Sequence, residues 1–394
     1  MARRRTGFGG PRISREGEPR DSVKTKIVHL TSVHPVRDTR IFHRECKTLA
    51  EAGYEVVLIA PHHKEVVQDG VTIRPVPIPT GRLNRMLKTV GQIYLAALRE
   101  GADVYHFHDP ELIPAGLLLK LCGKKVVADV HEDVPADILT KFWLPRWIRK
   151  PVAWLAGSLE GLAASSVDAV IVATPAIARR FPAGKALIVR NYPILDEWVS
   201  AGDANTYAER PPLVAYVGKI EGVRGPTEMV EAIRIIDGVP GIRLALAGDF
   251  APAELESELR SLSGWERVDR MGFLSRSDLG LLLARCRIGL VLLHPAPNHI
   301  EAQPNKLFEY MAAGLPVVAS DFPLWRDLIE GLGCGLVVNP LDPGEIAGAI
   351  SILLEDPLRA EAMGRRGKEA IAAKYNWNIE ARDFLNLYGQ ITGE

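Results

Sequence analysis

The chain has 394 residues, with 48 Lys plus Arg against 48 Asp plus Glu, 47% hydrophobic residues and 24% charged ones. That length suits two to three domains, and the composition excludes disordered and collagen-like chains. The formal charge of zero argues against a dedicated nucleic-acid binder, which carries a basic excess.

The charge is unevenly spread. Residues 1–26 hold eight basic and three acidic side chains, so the remainder is correspondingly acidic. Segment 1–25 is expected to be a flexible basic tail. No apolar run of about 7–15 residues follows its arginines, as a secretory signal would require. Cys46, Cys122, Cys286 and Cys334 are scattered without CxxC spacing, so buried free thiols are expected rather than disulfides or a zinc site. Without an apolar stretch of about 18 residues, the expectation is a cytoplasmic protein.

From residue 26 onward, short β-branched runs alternate with helical patterns. Strands are expected at 26–32 (KIVHLTS), 54–60, 71–76, 103–107 (DVYHF), 125–129 and 168–173. Helical periodicity covers 41–52, 83–99 and 111–122, the first of these ending at Gly53. A polar stretch at 200–212, SAGDANTYAERPP, has the composition of a linker. Strands resume at 213–217, 242–247, 288–293, 316–319 and 336–338, and the chain is helical after Asp356. The alternation predicts an α/β protein with two Rossmann-like parallel-sheet domains, 26–200 and 213–375, joined by 201–212. The last helix, 376–394, is expected to pack back towards the first domain. Ligands of such sheets sit beyond the C-terminal strand ends, so the polar residues following strands are the candidates for chemistry.

The most informative stretch is EAQPNKLFEYMAAGLPVVAS at 301–320. Pro304 suits the first helical turn, and helix starts gather anions through free amides and the dipole. Glu309 falls about one and a half turns into that helix, where a carboxylate can accept hydrogen bonds from a ribose diol. With Glu301 and Glu309 separated by seven residues and followed by AAGLPVVAS, the chain resembles the retaining glycosyltransferases of family 4, which have the GT-B fold of two domains facing across a cleft. The resemblance runs from about residue 26 to the end. It implies that Glu309 binds the nucleotide ribose and Glu301 the donor sugar. The family's glycine-rich stretch is replaced by Ala302-Gln303-Pro304-Asn305-Lys306. Asn305 and Lys306 thus supply side-chain donors, and Leu307 is expected with them among the donor-binding residues.

Further motifs match the same family. YVGKIEGVRG at 216–225 places Gly218 at a strand end and Lys219 and Arg224 as paired cations, in the order opposite to the usual one. Two fixed cations stabilise a leaving diphosphate more in the transition state than in the ground state. Gly248 resembles a strand end beside the phosphates, and Met271 and Phe273 lie in a segment that touches the base. His106-Phe107-His108-Asp109-Pro110-Glu111 matches a segment facing the donor sugar. By that match His108 lies near the transferred sugar, and Asp109 and Glu111 shape the pocket. His131 ends the following strand and should line the same cleft. Asp38 and Arg40 belong to a loop that faces the acceptor in this fold, and Asn191 is expected to be structural.

No Asp-x-Asp motif occurs, so no metal on the diphosphate and no cofactor are expected, with Lys219 and Arg224 supplying the charge. The partners implied are a nucleotide-sugar donor and a saccharide, lipid-linked or small-molecule acceptor. A patch from Lys141 to Trp154, KFWLPRWIRKPVAW, combines three Trp with four basic residues. Such a mixture suits peripheral contact with the inner face of a membrane, or a core-packing helix with a basic edge. Rival functions are a sugar-nucleotide epimerase on the same fold and a non-catalytic sugar-nucleotide-binding protein.

Overall fold

A computed structural model describes residues 24–140, 144–199 and 207–393. Most of the basic tail, part of the linker and Lys141 to Trp143 lie outside these residues. The first sheet contains β1 (Lys26–Leu30), β2 (Glu55–Pro61), β3 (Val66–Gln68), β4 (Val71–Val76), β5 (Val104–Phe107), β6 (Lys125–Val130), β7 (Ala169–Val172) and β8 (Ala186–Ile188), in the order β3-β4-β2-β1-β5-β6-β7-β8. The second contains β9 (Leu213–Val217), β10 (Arg243–Ala247), β11 (Val268–Gly272), β12 (Ile288–Val291), β13 (Val317–Ser320) and β14 (Gly335–Val338), in the order β11-β10-β9-β12-β13-β14. Every pairing is parallel except β3 with β4.

The two-sheet α/β architecture expected from the alternation is therefore present. Two strands, β3 and β8, were not predicted from the sequence, and β11 only as a strand end at 270–274. β3 forms a hairpin with β4 through Asp69 and Gly70, both at positive φ, as an Asp-Gly turn requires. β8 has three half-buried residues and so shows no apolar run. β11 (VDRMG) alternates too weakly to stand out.

In each sheet the central strand fixes the site. β1 lies between β2 and β5, with Ile27 opposite both Val56 and Val104, so its C-terminal end meets that of β5. His108 N then donates to Leu30 O at 3.1 Å. β9 lies between β10 and β12, and Gly218 N donates to Ala247 O at 2.9 Å. Both faces of each sheet are covered by helices, so the strands are almost wholly apolar.

The last helix, Trp377–Thr392, belongs to the first domain's core. Trp377, Phe384 and Tyr388 are buried against Ile27, Leu58 and Val104. Each such aromatic contributes about 1.5–3 kcal/mol by burial. The two chain segments that pass between the domains run side by side: Trp377 N donates to Pro193 O at 2.9 Å, and the Tyr192 and Tyr375 rings meet edge to face. Cys46, Cys286 and Cys334 are buried as expected. Cys122 is exposed, because it caps the exposed end of helix Ile113–Leu121.

Candidate active site

On the second domain the site is built where β9 and β10 end. Gly248 has φ of 143°, and a Cβ there would lie 2.0 Å from Gly218 O. Only glycine allows the two strand ends to approach this closely. Beyond Gly218 the loop carries Lys219 and Arg224, and Glu221 pairs with both. Arg224 Nε lies 2.8 Å from Glu221 Oε2. Burial alone would raise the Glu221 carboxyl, but the two cations hold it below its usual range. Glu221 was not recognised in the sequence, although its position between two cations was visible.

The helix Asn305–Ala312 starts after Pro304 and ends before Gly314, which sits at φ of 72°. Tyr310 anchors it to the sheet: its hydroxyl accepts from Val217 N at 2.8 Å, over Gly289, where a Cβ would meet the ring. Glu309 is buried, and its Oε1 accepts from Arg276 Nη1 at 2.6 Å. Arg276 also pairs with Glu197 and stacks over Trp198. Lys306 is 7% exposed and its Nζ has no hydrogen-bond partner. That ammonium lies 3.8 Å above the centre of the Tyr216 ring and faces Gly218. Burial, and then the nearby Arg224 charge, push Lys306 well below the ordinary lysine range.

Other donor-side candidates divide. Asn305 is half-buried at the helix start. Leu307 is buried and its amide donates to Pro304 O at 3.1 Å. Met271 and Phe273 are exposed at the β11 end. Glu301 is exposed, and Arg179 of the first domain holds both its oxygens. Trp325 Nε1 pins the following Ala302 carbonyl at 2.7 Å.

On the first domain a cavity of about 380 Å³ opens beside the ends of β5 and β6, lined by His34, His108, Asp109, Glu111, Asp129 and His131 among others. Asp109 Oδ2 accepts from Thr31 Oγ1 at 2.8 Å and from Ser32 N at 2.7 Å. Arg85 forks Glu111 at 2.6 and 3.1 Å. His34 lies between Asp38 and Asp109; burial opposes its protonation, yet the two carboxylates push it up to about 9. Asp38 accepts from the amides of Arg40 and Ile41, which starts the π-helical turn Ile41–Cys46.

The structure corrects one expectation here and constrains another. Arg40 does not face an acceptor. Its guanidinium is buried, forks Asp129 at 2.7 and 2.9 Å, and reaches Val189 O and Asn191 Oδ1. His108 uses both ring nitrogens internally, Nδ1 with Asp129 and Nε2 with His29, each at 2.9 Å. It therefore meets the cavity without a free nitrogen. Asp129, the hub, was read only as a strand residue. Burial alone would raise it, but Arg40 holds it well below the usual carboxylate range. His131 Nδ1 lies 3.3 Å from the same carboxylate.

Two groups among the described residues have metal-ligand chemistry: buried His29, Glu45, His106 and His108, and the trio His108, Asp129 and His131. Both are built from first-domain residues, whereas Lys219 and Arg224 belong to the second domain.

Two Rossmann-like domains, with a cation loop and a carboxylate-bearing helix on the second, make up a GT-B fold. The family of glycosyl transferases group 1 matches residues 201–370, and the glycosyl transferase 4-like domain matches residues 39–191. The chain belongs to this family. It is 23% identical to a phosphatidyl-myo-inositol mannosyltransferase of Mycolicibacterium smegmatis, with 88% of each chain covered. It is 30% identical to an alpha-D-kanosaminyltransferase of Streptomyces kanamyceticus, over 46% of each chain. Among solved structures, sucrose-phosphate synthase from Thermosynechococcus elongatus matches with a TM-score of 0.76 at 21% identity, covering 94% of this chain and all of that one. Anabaena HepE in complex with UDP and glucose matches with a TM-score of 0.71 at 14% identity, covering 93% and 100%.

Proposed function

We propose that this glycosyltransferase moves a sugar from a nucleoside diphosphate to an acceptor hydroxyl with retention of configuration, without a metal on the diphosphate. The observation that carries this reading is Lys306: a buried cation over the Tyr216 ring with no hydrogen-bond partner, aimed at the Gly218 turn next to Lys219 and Arg224. A buried unpaired ammonium is costly in the free protein, and a diphosphate placed there would relieve the cost. Three cations would then offset the charge that grows on the leaving diphosphate, the part a divalent ion would otherwise supply. Glu309 would accept from the ribose and Glu301 from the sugar. Retention follows if the leaving phosphate takes the acceptor proton on the same face of the sugar.

The first-domain cavity, with Asp109, Glu111, His34 and His131 at its wall, is the proposed acceptor pocket. Helix Pro297–Ile300, just before Glu301, packs on helix Val134–Thr140 at the cavity's edge. That contact supports an acceptor pocket neighbouring Glu301, and with it transfer rather than epimerisation, which needs no acceptor.

A thermal-shift screen of UDP, GDP, ADP and dTDP with their sugars, followed by turnover assays, tests the reading. Glu309→Ala and Lys219→Ala should each lower turnover by about 100-fold or more. Near-normal rates in both would refute the assignment, and turnover lost in chelator and restored by magnesium would refute metal independence.

A further inference from the structure

The outer helical layer of the first domain differs from the rest of the surface. Residues 82–100, helix Ile113–Leu121 and helix Arg146–Ser166 cover one face of the first sheet, where Ile93, Ala97, Leu119 and Ala164 join the same core. Their outward side is apolar. Leu87 is 77% exposed, Leu121 83%, Trp147 81% and Trp154 73%, and further leucines of all three segments accompany them. The core-packing alternative for the tryptophan-rich patch therefore fails at Trp147 and Trp154, while Trp143 lies outside the described residues.

The helix Arg146–Ser166 shows the pattern most clearly. At 100° per residue, Trp147, Trp154, Leu155, Leu159 and Leu162 span about 140° of its circumference. Ala153, Ala163 and Ala164, on the other side, pack inward. Water-facing helices normally show the reverse arrangement.

Charge follows the same face. The three segments hold eight Lys and Arg against two acids, Glu100 and Glu160. Glu100 is tied to Lys26 and Arg74, and Glu160 to Arg180. Of the eight, Lys120 is paired with Asp168 and Arg85 with Glu111, but a chain of zero net charge still gathers Lys88, Arg146 and Lys150 on its most apolar side.

We propose that this face docks on an anionic membrane surface, with the helix Arg146–Ser166 lying in the headgroup layer. Tryptophan rings and leucines would enter the acyl boundary while lysine and arginine reach lipid phosphates. A second copy of the chain fits less well. A two-fold interface on this face would bring two basic surfaces together, and like charges oppose each other there. None of the described helices is long and apolar enough to cross a membrane, so the contact lies along the surface. The docking is independent of the transfer reaction, and its test does not use activity.

The test is flotation of the full chain with phosphatidylcholine vesicles, with and without phosphatidylglycerol, at low and high salt. Binding should rise about 10-fold or more with the anionic lipid and fall as salt rises. Trp147→Glu with Trp154→Glu should reduce it about 10-fold or more, and Lys150→Glu with Arg146→Glu should remove the lipid selectivity. Leu358→Glu, at an exposed site on the second domain, should bind as the parent does. Unchanged melting temperatures establish that the variants fold, which is expected for exposed positions. Failure of the parent chain to float with anionic vesicles overturns the proposal. So does a dimer in light scattering that the tryptophan variant dissolves.

Discussion

Arg179 closes on Glu301 across the cleft, with Nη2 at 2.8 and 2.7 Å from the two carboxylate oxygens. One residue follows the turn after β7 in the first domain, and the other precedes the Glu309 helix in the second. The pair engages the carboxylate that the proposed donor sugar would need. Both side chains are more than half exposed, so the link is weak and salt-sensitive. Arg179→Ala should therefore tighten binding of the nucleotide sugar, by up to about fivefold for a pair worth at most ~1 kcal/mol, without a matching change for the free nucleotide. Calorimetric titration of both ligands checks this.

Lys306 gives a prediction with opposite signs in two states. Its folded-state pKa lies well below that of the unfolded chain, so the folded protein binds fewer protons in the window between them. Stability should rise with pH through that window. Lys306→Met should raise the melting temperature of the free protein near neutral pH and remove that rise. The same variant should lose most of the thermal shift given by a nucleoside diphosphate. A lower melting temperature with a full ligand shift would contradict both the cost and the role assigned to this lysine.

His34 titrates in the other direction. Its folded-state pKa of about 9 lies above the ordinary histidine value of 6.5. The stabilisation from its contacts with Asp38 and Asp109 is thus fully present below about pH 6.5 and fades as pH rises through about 9. His34→Gln should be less stable than the parent at pH 6, and the gap should close towards pH 9.5. Urea unfolding at a series of pH values measures it.

Arg40 and Asp129 form the closest pair of a buried charge cluster in which Glu45 also lies 3.0 Å from Arg40 Nε and His108 shares Asp129. Arg40→Met or Asp129→Asn should cost about 3–5 kcal/mol of folding free energy. Denaturant midpoints at constant slope would show it. If instead stability were retained and only acceptor affinity fell, Arg40 would belong to the cleft after all.

The fold was largely legible because parallel sheets covered on both faces leave apolar runs at regular intervals. β9, β10 and β12 announce themselves in this way, whereas β3 and β8 are short and half-exposed. The Glu309 helix was legible too, since Pro304 and Gly314 mark its ends locally. The partnerships were not. Arg179 and Glu301 are 122 residues apart, and Arg276 and Glu309 are 33 apart. Nothing near either residue in the chain signals the other. Arg40 shows the converse error: its place after a strand suggested a ligand contact, but the partner that claims it, Asp129, lies 89 residues away.

The side-by-side crossings at Pro193 and Trp377 have a mechanical consequence. A chain that passes once between two bodies leaves them free to swing in several directions. Two passes held together by a backbone hydrogen bond act as a double hinge pin, and the easy movement left is rotation about that line. Since helix Trp377–Thr392 is anchored beneath β5, where Tyr388 meets His106 at 2.8 Å, the pin is fixed to the strand that ends at the cavity. Rotation of the second domain about that line would carry Glu301 and Lys306 along one arc relative to Asp109, so the proposed donor would meet the proposed acceptor pocket in a single orientation.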